Sequence, residues 1–283
     1  MGHHQPPLPS LISQQVTLAL NEDVGNGDLT AALIPPNATA TATIISREPM
    51  ILCGLLWVNE VFKQLRQSVA ITWLAKDGDA VTANQIFCKL HGNARTILTG
   101  ERVALNFLQT LSATATHTHQ YVTVVAGTGV RILDTRKTLP GLRSAQKYAV
   151  RCGGGYNHRN GLFDAILIKE NHIHAAGSIA QALSFATQQT PHVDIEIEVE
   201  TIEQFQQALD SNATHILLDN FTLPQIQQAV AINQNRARLE VSGNINLHNV
   251  RAIAEIGIHD ISIGALTKHI TAIDLSMRFT SNI

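Results

Sequence analysis

From residue 130 onward, short runs rich in β-branched residues return at a nearly constant step, and no other feature limits the fold so strongly. They are VRILD (130–134), DAILI (164–168), DIEIEVE (194–200), HILLD (215–219), RLEVS (238–242) and HDISI (259–263). Glu198 to Asp219 is 21 residues, Asp219 to Ser242 is 23, and Ser242 to Gly264 is 22. Between the later runs, TIEQFQQAL and LPQIQQAVAINQ space their apolar residues by three and four, as amphipathic helices do. Strands alternating with such helices predict parallel βαβ units whose helices cover the sheet. The even step favours a barrel, with an open sheet as the alternative. A complete barrel has eight strands and about 250 residues, so six strands predict a small or incomplete one.

The chain before about residue 115 reads differently. TATIISREPMILCG and ITWLAKDGDAVTANQIFCKLHG predict strands, with turns at 76–79 and 91–93 and helices near 8–20 and 55–67. A helical pattern from Gly100 to about Val125, with Val103, Phe107, Leu108 and Leu111 on one face, joins this α+β part to the rest. The expected division is 1–115 for a first domain with its connecting helix and 116–283 for the barrel, with the last residues able to pack back on the first domain.

At 283 residues and 45% hydrophobic content, the chain can bury a sizeable core. Its longest apolar run, Met50 to Val58, is too short to span a bilayer, and MGHHQPPLPS has neither the basic nor the apolar region of a secretory signal. A cytoplasmic protein with no membrane partner is expected. Cys53, Cys88 and Cys152 are widely spaced and read as reduced structural thiols. A net charge of −2 offers no global attraction for nucleic acid, so anion recognition has to be local.

Such a locality exists. Between Arg131 and Lys169 there are eight cations (Arg131, Arg136, Lys137, Arg143, Lys147, Arg151, Arg159, Lys169) and only two acids, Asp134 and Asp164. In a parallel barrel, chemistry gathers at the C-terminal strand ends. Those positions hold Thr135, Arg136 and Lys137, then Lys169, Glu198, Asp219, Ser242-Gly243-Asn244 and Ile263-Gly264-Ala265. Each has an ordinary explanation: Arg136 and Lys137 as a solvated turn, Lys169 as a lysine reaching for water, the two small-residue segments as plain turns. In DIEIEVE, acids of one parity would point into the barrel, with Glu198 and Glu200 nearest its mouth, a costly placement unless cations or a metal meet them. His172 and His174 lack a third ligand at sensible spacing, so no zinc is expected. Together the strand ends predict a site for a ligand with several anionic groups, gripped by arginines and phosphate-binding turns, with acids for sugar hydroxyls or Mg²⁺.

EDVGNGDLT (22–30), TGERVALNFLQ (99–109), DTRKTLPGLR (134–143), NHRNGLFDAILIKENHI (157–173), EIEVE (196–200), LLDN (217–220), EVSGNI (240–245) and SIGALTKH (262–269) occur in order over nearly the whole chain. In these motifs the sequence resembles the quinolinate phosphoribosyltransferases. The resemblance implies an N-terminal α/β sandwich domain, an incomplete α/β barrel and a homodimer. It also implies transfer of phosphoribosyl from 5-phosphoribosyl 1-pyrophosphate to quinolinate with Mg²⁺ and decarboxylation, giving nicotinate mononucleotide, pyrophosphate and carbon dioxide in de novo NAD synthesis. By motif, Thr135, Arg136, His158, Arg159 and Lys169 would serve quinolinate, with Arg102 entering from the partner subunit. Lys137, Lys268, Glu198 and Asp219 would serve the phosphoribosyl pyrophosphate, the two acids meeting ribose hydroxyls or Mg²⁺. Ser242, Gly243, Asn244, Ile263, Gly264 and Ala265 would hold its 5′-phosphate.

Three rivals remain at this point. They are a related phosphoribosyltransferase for another base, a Schiff-base lyase using Lys169, and a binding protein for phosphorylated metabolites without turnover.

Overall fold

The structure, a computed structural model, describes residues 7–65, 68–190 and 192–280. Most of the opening stretch read for a secretory signal, MGHHQP, lies outside them, as do the last two residues of the helix expected near 55–67. In chain order the elements are α1 (Pro9–Val24), β1 (Thr39–Ser46), β2 (Met50–Ile51), α2 (Leu55–Gln64), β3 (Val69–Trp73), β4 (Ala80–Val81), β5 (Ile86–Asn93), α3 (Ala94–Val124), β6 (Arg131–Leu133), α4 (Arg143–Cys152), β7 (Ile166–Ile168), α5 (Glu170–Ala176), α6 (Ile179–Gln189), β8 (Ile195–Val199), α7 (Ile202–Asp210), β9 (His215–Asp219), α8 (Leu223–Asn233), β10 (Arg238–Ser242), α9 (Val250–Ala254), β11 (Asp260–Ser262), α10 (Ala265–Lys268) and β12 (Leu275–Phe279).

Two compact units divide these elements. One contains Met1–His119, Thr138–Gly154 and Leu266–Ile283; the other contains Gln120–Lys137 and Gly155–Ala265. The expected boundary lay near 115, with the last residues able to pack back on the first domain; the chain passes between the units four times. Strand β12, from the chain's end, pairs antiparallel with β1 in the first unit's four-stranded sheet, whose order is β12-β1-β5-β3. Alternation in β1 buries Ala40, Ala42 and Ile44 on one face, where α2 and α3 contribute Trp57, Phe62, Leu105, Leu108 and Leu111 to the same core. The indole N–H of Trp57 is satisfied by Gln15 Oε1 at 2.8 Å. All three cysteines are free and buried.

The turn expected at 91–93 is absent, because β5 runs straight through Gly92, which pairs with Ala40 on one side and Val69 on the other. A Cβ at Gly92 would lie 2.4 Å from the Ser68 carbonyl oxygen, so this glycine admits a neighbouring backbone instead of reversing the chain.

In the second unit the six anticipated strands form one parallel sheet, ordered β6-β11-β10-β9-β8-β7. From β7 to β11 consecutive strands are neighbours and the first, β6, pairs with the last, β11, which is the cyclic order of a barrel, with no reversal of the kind an open doubly wound sheet shows. The ring stays open between β6 and β7. On the open side of β6, Tyr156 pairs with that strand, its N–H donating to the Ile132 carbonyl at 2.8 Å and its carbonyl accepting from Asp134 N–H at 3.1 Å. Thr201 caps α7 by accepting from Gln204 N–H, and Ser178 caps α6 by accepting from Gln181 N–H, which starts each helix soon after the preceding turn.

Candidate active site

Side-chain contacts across the barrel strands join residues of one parity only, and these stand at successive levels along the barrel. At the N-terminal end, Arg131, Arg238 and Asp260 form a closed group. Asp260 is fully buried and takes both guanidiniums, with Arg131 Nε at 2.7 Å and Arg238 Nη2 at 2.9 Å. Burial raises the Asp260 carboxyl, but hydrogen bonds from Arg238 and Arg131 outweigh it and leave the group below its ordinary range. Above them sit the buried acids Glu196 and Glu240, facing His158 and His215. Burial and then Glu196 push the Glu240 carboxyl up to about 8, while burial lowers the His215 imidazole.

The third level is the mouth. Lys169 Nζ lies 2.7 Å from Glu198 Oε2. Asp219 accepts from the hydroxyl of Ser242 and from Asn220 Nδ2. One carboxylate oxygen each from Glu198, Glu200 and Asp219 lie within 4.8 Å of one another. After β10 the chain turns through Gly243 (φ +91°) and Asn244 (φ 54°). A Cβ at Gly243 would lie 2.1 Å from Asn220 Oδ1, so both the dihedral and the close approach require glycine. After β11, Gly264 lies beneath Lys137: a Cβ there would come within 2.9 Å of Lys137 Cδ and 3.5 Å of Thr135 Oγ1.

Arg136 and Arg159 complete this end. Burial, and next the charge of Arg136, lower the pKa of the Arg159 guanidinium, which places two like charges near each other. Arg136 Nε is buried with no hydrogen-bond partner. A desolvated guanidinium N–H left unmet is costly, and a bound anion would satisfy it.

The mouth thus gathers Thr135, Arg136, Lys137, Arg159, Lys169, Glu198, Asp219, Ser242, Gly243, Asn244, Ile263, Gly264 and Ala265 in one unit. Arg102, exposed on α3, and exposed Lys268, at the end of α10, belong to the other unit. His158 is already engaged at both ring nitrogens. Nδ1 accepts from Arg159 N–H at 2.7 Å, so the ring proton sits on Nε2, which donates to Glu196 Oε2 at 2.8 Å.

Of the eight cations between Arg131 and Lys169, Arg136, Lys137, Arg159 and Lys169 lie in the second unit beyond its strand ends. Arg131 neutralises Asp260, while Arg143, Lys147 and Arg151 lie on α4 in the first unit. His172 accepts Lys169 N–H at the start of α5, a local cap in place of a metal ligand. The sequence reading missed Glu196, Glu240 and His215. Their signal was present, since one parity runs through DIEIEVE, RLEVS and HILLD, but strands of opposite charge had to be laid side by side to expose it.

Two family models match the chain: the quinolinate phosphoribosyl transferase N-terminal domain over residues 28–112 and its C-terminal domain over 114–278. A probable nicotinate-nucleotide pyrophosphorylase (carboxylating) of Bacillus subtilis is 41% identical over 92% of this chain and 90% of its own length. A mitochondrial quinolinate phosphoribosyltransferase (decarboxylating) of Nicotiana tabacum is 37% identical over 96% of this chain and 83% of its own. The solved nicotinate-nucleotide pyrophosphorylase of Francisella tularensis is 47% identical, with a TM-score of 0.95 over 99% of this chain and 100% of that one. Both domains, the cyclic six-stranded barrel and the order of the strand-end residues therefore agree: this chain belongs to the quinolinate phosphoribosyltransferase family.

Proposed function

We propose that this chain joins quinolinate to 5-phosphoribosyl 1-pyrophosphate, releasing pyrophosphate and carbon dioxide and leaving nicotinate mononucleotide, a step of de novo NAD synthesis. The observation that carries the reading is the buried, unpartnered Nε of Arg136 beside a second guanidinium, Arg159. Two adjacent carboxylates on a flat ring match two such groups, and Arg clamps planar carboxylates in bidentate fashion. Lys169 and Thr135 flank this grip. Gly243 and the 263–265 turn leave room for backbone N–H groups to approach the 5′-phosphate, with Lys137 above Gly264 facing the phosphoribosyl side.

Glu198 and Asp219 hold ribose hydroxyls and serve Mg²⁺. Their oxygens, with that of Glu200, have the hard-donor character this ion requires, and their clustering within 4.8 Å fits it. When bound, Mg²⁺ supplies charge neutralisation for the pyrophosphate. As pyrophosphate departs, positive charge grows on ribose C1 while the pyridine nitrogen attacks; the side chains align the two partners and stabilise that charge, with no covalent enzyme intermediate. The positive charge on the quaternised ring nitrogen then stabilises the electron pair left on C2 when the 2-carboxylate departs as carbon dioxide, and C2 takes up a proton from water.

The reading includes a homodimer in the cytoplasm, with Arg102 reaching the partner's mouth and Lys268 serving the pyrophosphate side. Mixing Arg102→Ala with Lys137→Ala subunits then gives some dimers one doubly damaged site and one intact site, so subunit exchange should restore activity. A mixture as inactive as its parents after exchange would remove Arg102 from this role. For the reaction itself, the protein is incubated with quinolinate, the cosubstrate and Mg²⁺, and nicotinate mononucleotide is sought. Conversion of another base in preference to quinolinate would overturn the assignment, and borohydride trapping of a carbonyl substrate at Lys169 would favour a lyase.

A further inference from the structure

We propose that Glu196 is a positioning residue for the cationic grip: through the His158 ring it fixes the peptide that carries Arg159, and so sets the spacing of Arg159 and Arg136 for two adjacent carboxylates. The inference rests on the quinolinate reading of the mouth. Glu196 lies inside the barrel, 4% exposed, as the second residue of β8. Its register partner on β7 is Leu167, and the inward position on β9 between His215 and Asp219 is Leu217, so apolar side chains are accommodated in this interior. A buried carboxylate is a poor choice for stability at such a position, since a well-packed apolar residue is often neutral or better. Its retention calls for a contact that only an acceptor can make.

That contact is with His158, which stands on no regular element. Residues 157–165 connect the Tyr156 bridge to β7 along the barrel's open seam, without helix or strand hydrogen bonds to fix them. Side chains do it instead. Fully buried Asp134 accepts His158 N–H at 3.0 Å and the amide of Asn157, and Asp164 accepts Asn160 N–H and Gly161 N–H at 2.7 and 3.0 Å. Between these two anchors lies Arg159, whose peptide N–H donates to His158 Nδ1 at 2.7 Å.

The imidazole is therefore a wedge with one edge on β8 and the other on the Arg159 peptide. Its tautomer is held from both edges, by the Arg159 N–H donated to Nδ1 and by the acceptor at Glu196. Without Glu196, Nε2 keeps only the Glu240 carboxyl at 3.6 Å, and a proton moved to Nδ1 would face the Arg159 N–H donor to donor and turn the peptide away. The Arg159 side chain itself makes only a long hydrogen bond, 3.5 Å, to the Ala165 carbonyl; the charge of Arg136 repels it, while those of Glu196, Asp164 and Glu198 attract it.

The test uses the full chain with Glu196→Leu, Glu196→Asp and Glu196→Gln. Leu removes the acceptor, Asp keeps the charge but falls a methylene short of His158, and Gln keeps an acceptor at full length. Glu196→Leu and Glu196→Asp should raise the quinolinate KM tenfold or more while leaving the KM for the cosubstrate unmoved and the unfolding temperature unchanged or, for Leu, higher. Glu196→Gln should recover most of the quinolinate KM. Nitrogen-15 labelled histidine should show an Nε2-protonated tautomer at His158 in the wild type and Glu196→Gln, lost in Glu196→Leu. Equal rises in both KM values, a Gln variant as impaired as Leu, an unchanged tautomer in Leu, or an Asp variant that fails to fold would each overturn the proposal. If the wild type leaves quinolinate unconverted, the functional reading fails instead, and the tautomer measurement still reports separately on the wedge.

Discussion

The two ends of the barrel use charge to opposite effect. At the N-terminal end, one carboxylate and two guanidiniums satisfy one another within the protein. At the mouth, Arg136 keeps a buried donor unmet beside Arg159. Charge that is balanced internally belongs to the scaffold, whereas charge left unbalanced in a buried position makes sense only with a counter-charge brought from outside. Between them, Glu196 and Glu240 form a transition: fully buried like the lower end, incompletely matched like the upper.

The contrast can be broken by substrates and variants that shift charge at one end only. The largest expected effect is substrate choice. Nicotinate lacks the 2-carboxylate and leaves part of the Arg136–Arg159 grip unmet, so its kcat/KM should fall below that of quinolinate by roughly 10³-fold or more. Similar values for the two acids would show that the unmet donors serve another ligand. Next, Arg136→Ala should lower kcat/KM for quinolinate by about 100-fold, on the basis of charge-assisted bonds of about 1.5–3 kcal/mol. Its urea midpoint should hold or rise, because an unmet buried donor disappears; a marked fall would make Arg136 part of the scaffold.

Asp260→Asn should do the reverse, sparing the kinetics and lowering stability. Breaking a fully buried pair costs more, but the Arg131 and Arg238 side chains are 41% and 38% exposed and can turn to water, so about 2 kcal/mol is expected. Because the Asp260 pKa is lowered in the fold, its stabilisation is present above the ordinary value of 3.8 and lost as pH falls through the folded value. The wild type should accordingly lose its advantage over the Asn variant in acid. An undiminished stability gap at low pH would contradict this.

The smallest effect sharpens the middle level. Glu240 holds its proton to about 8 against an ordinary 4.5, so between those values the folded chain binds a proton that the unfolded chain releases. Stability from this group therefore falls as pH rises through that window and levels off above it. Glu240→Gln imitates the neutral acid and should flatten that part of the unfolding-temperature profile. An unchanged slope would mean that Glu240 is ionised in the fold at neutral pH.

Much of the site could be read without coordinates because strand ends are fixed by local pattern. Asp219, Ser242 and Gly264 each close a β-branched run of recognisable length, and parity in DIEIEVE pointed Glu198 inward. Arg131 and Arg136 looked alike in that reading, being cations five residues apart around one strand, yet one is consumed by Asp260 and the other left for a ligand. Gly92 had the composition of a turn and the role of a close backbone approach, which depends on where Ser68 lies.

By itself the sequence determined most of the elements and the family, and it favoured the barrel over an open sheet. All three follow from short-range periodicity and from residues at fixed offsets, which act whatever surrounds them. Only the tertiary structure decided which charges cancel. That depends on register between strands tens of residues apart, where Glu240 faces Asp260 and Leu217, and Ser242 faces Asp219. The same distinction applies to His158. Its position in NHRNG says nothing of Glu196, 38 residues away, yet that distant carboxylate meets the ring's Nε2, a contact between loop and strand that only the fold brings together.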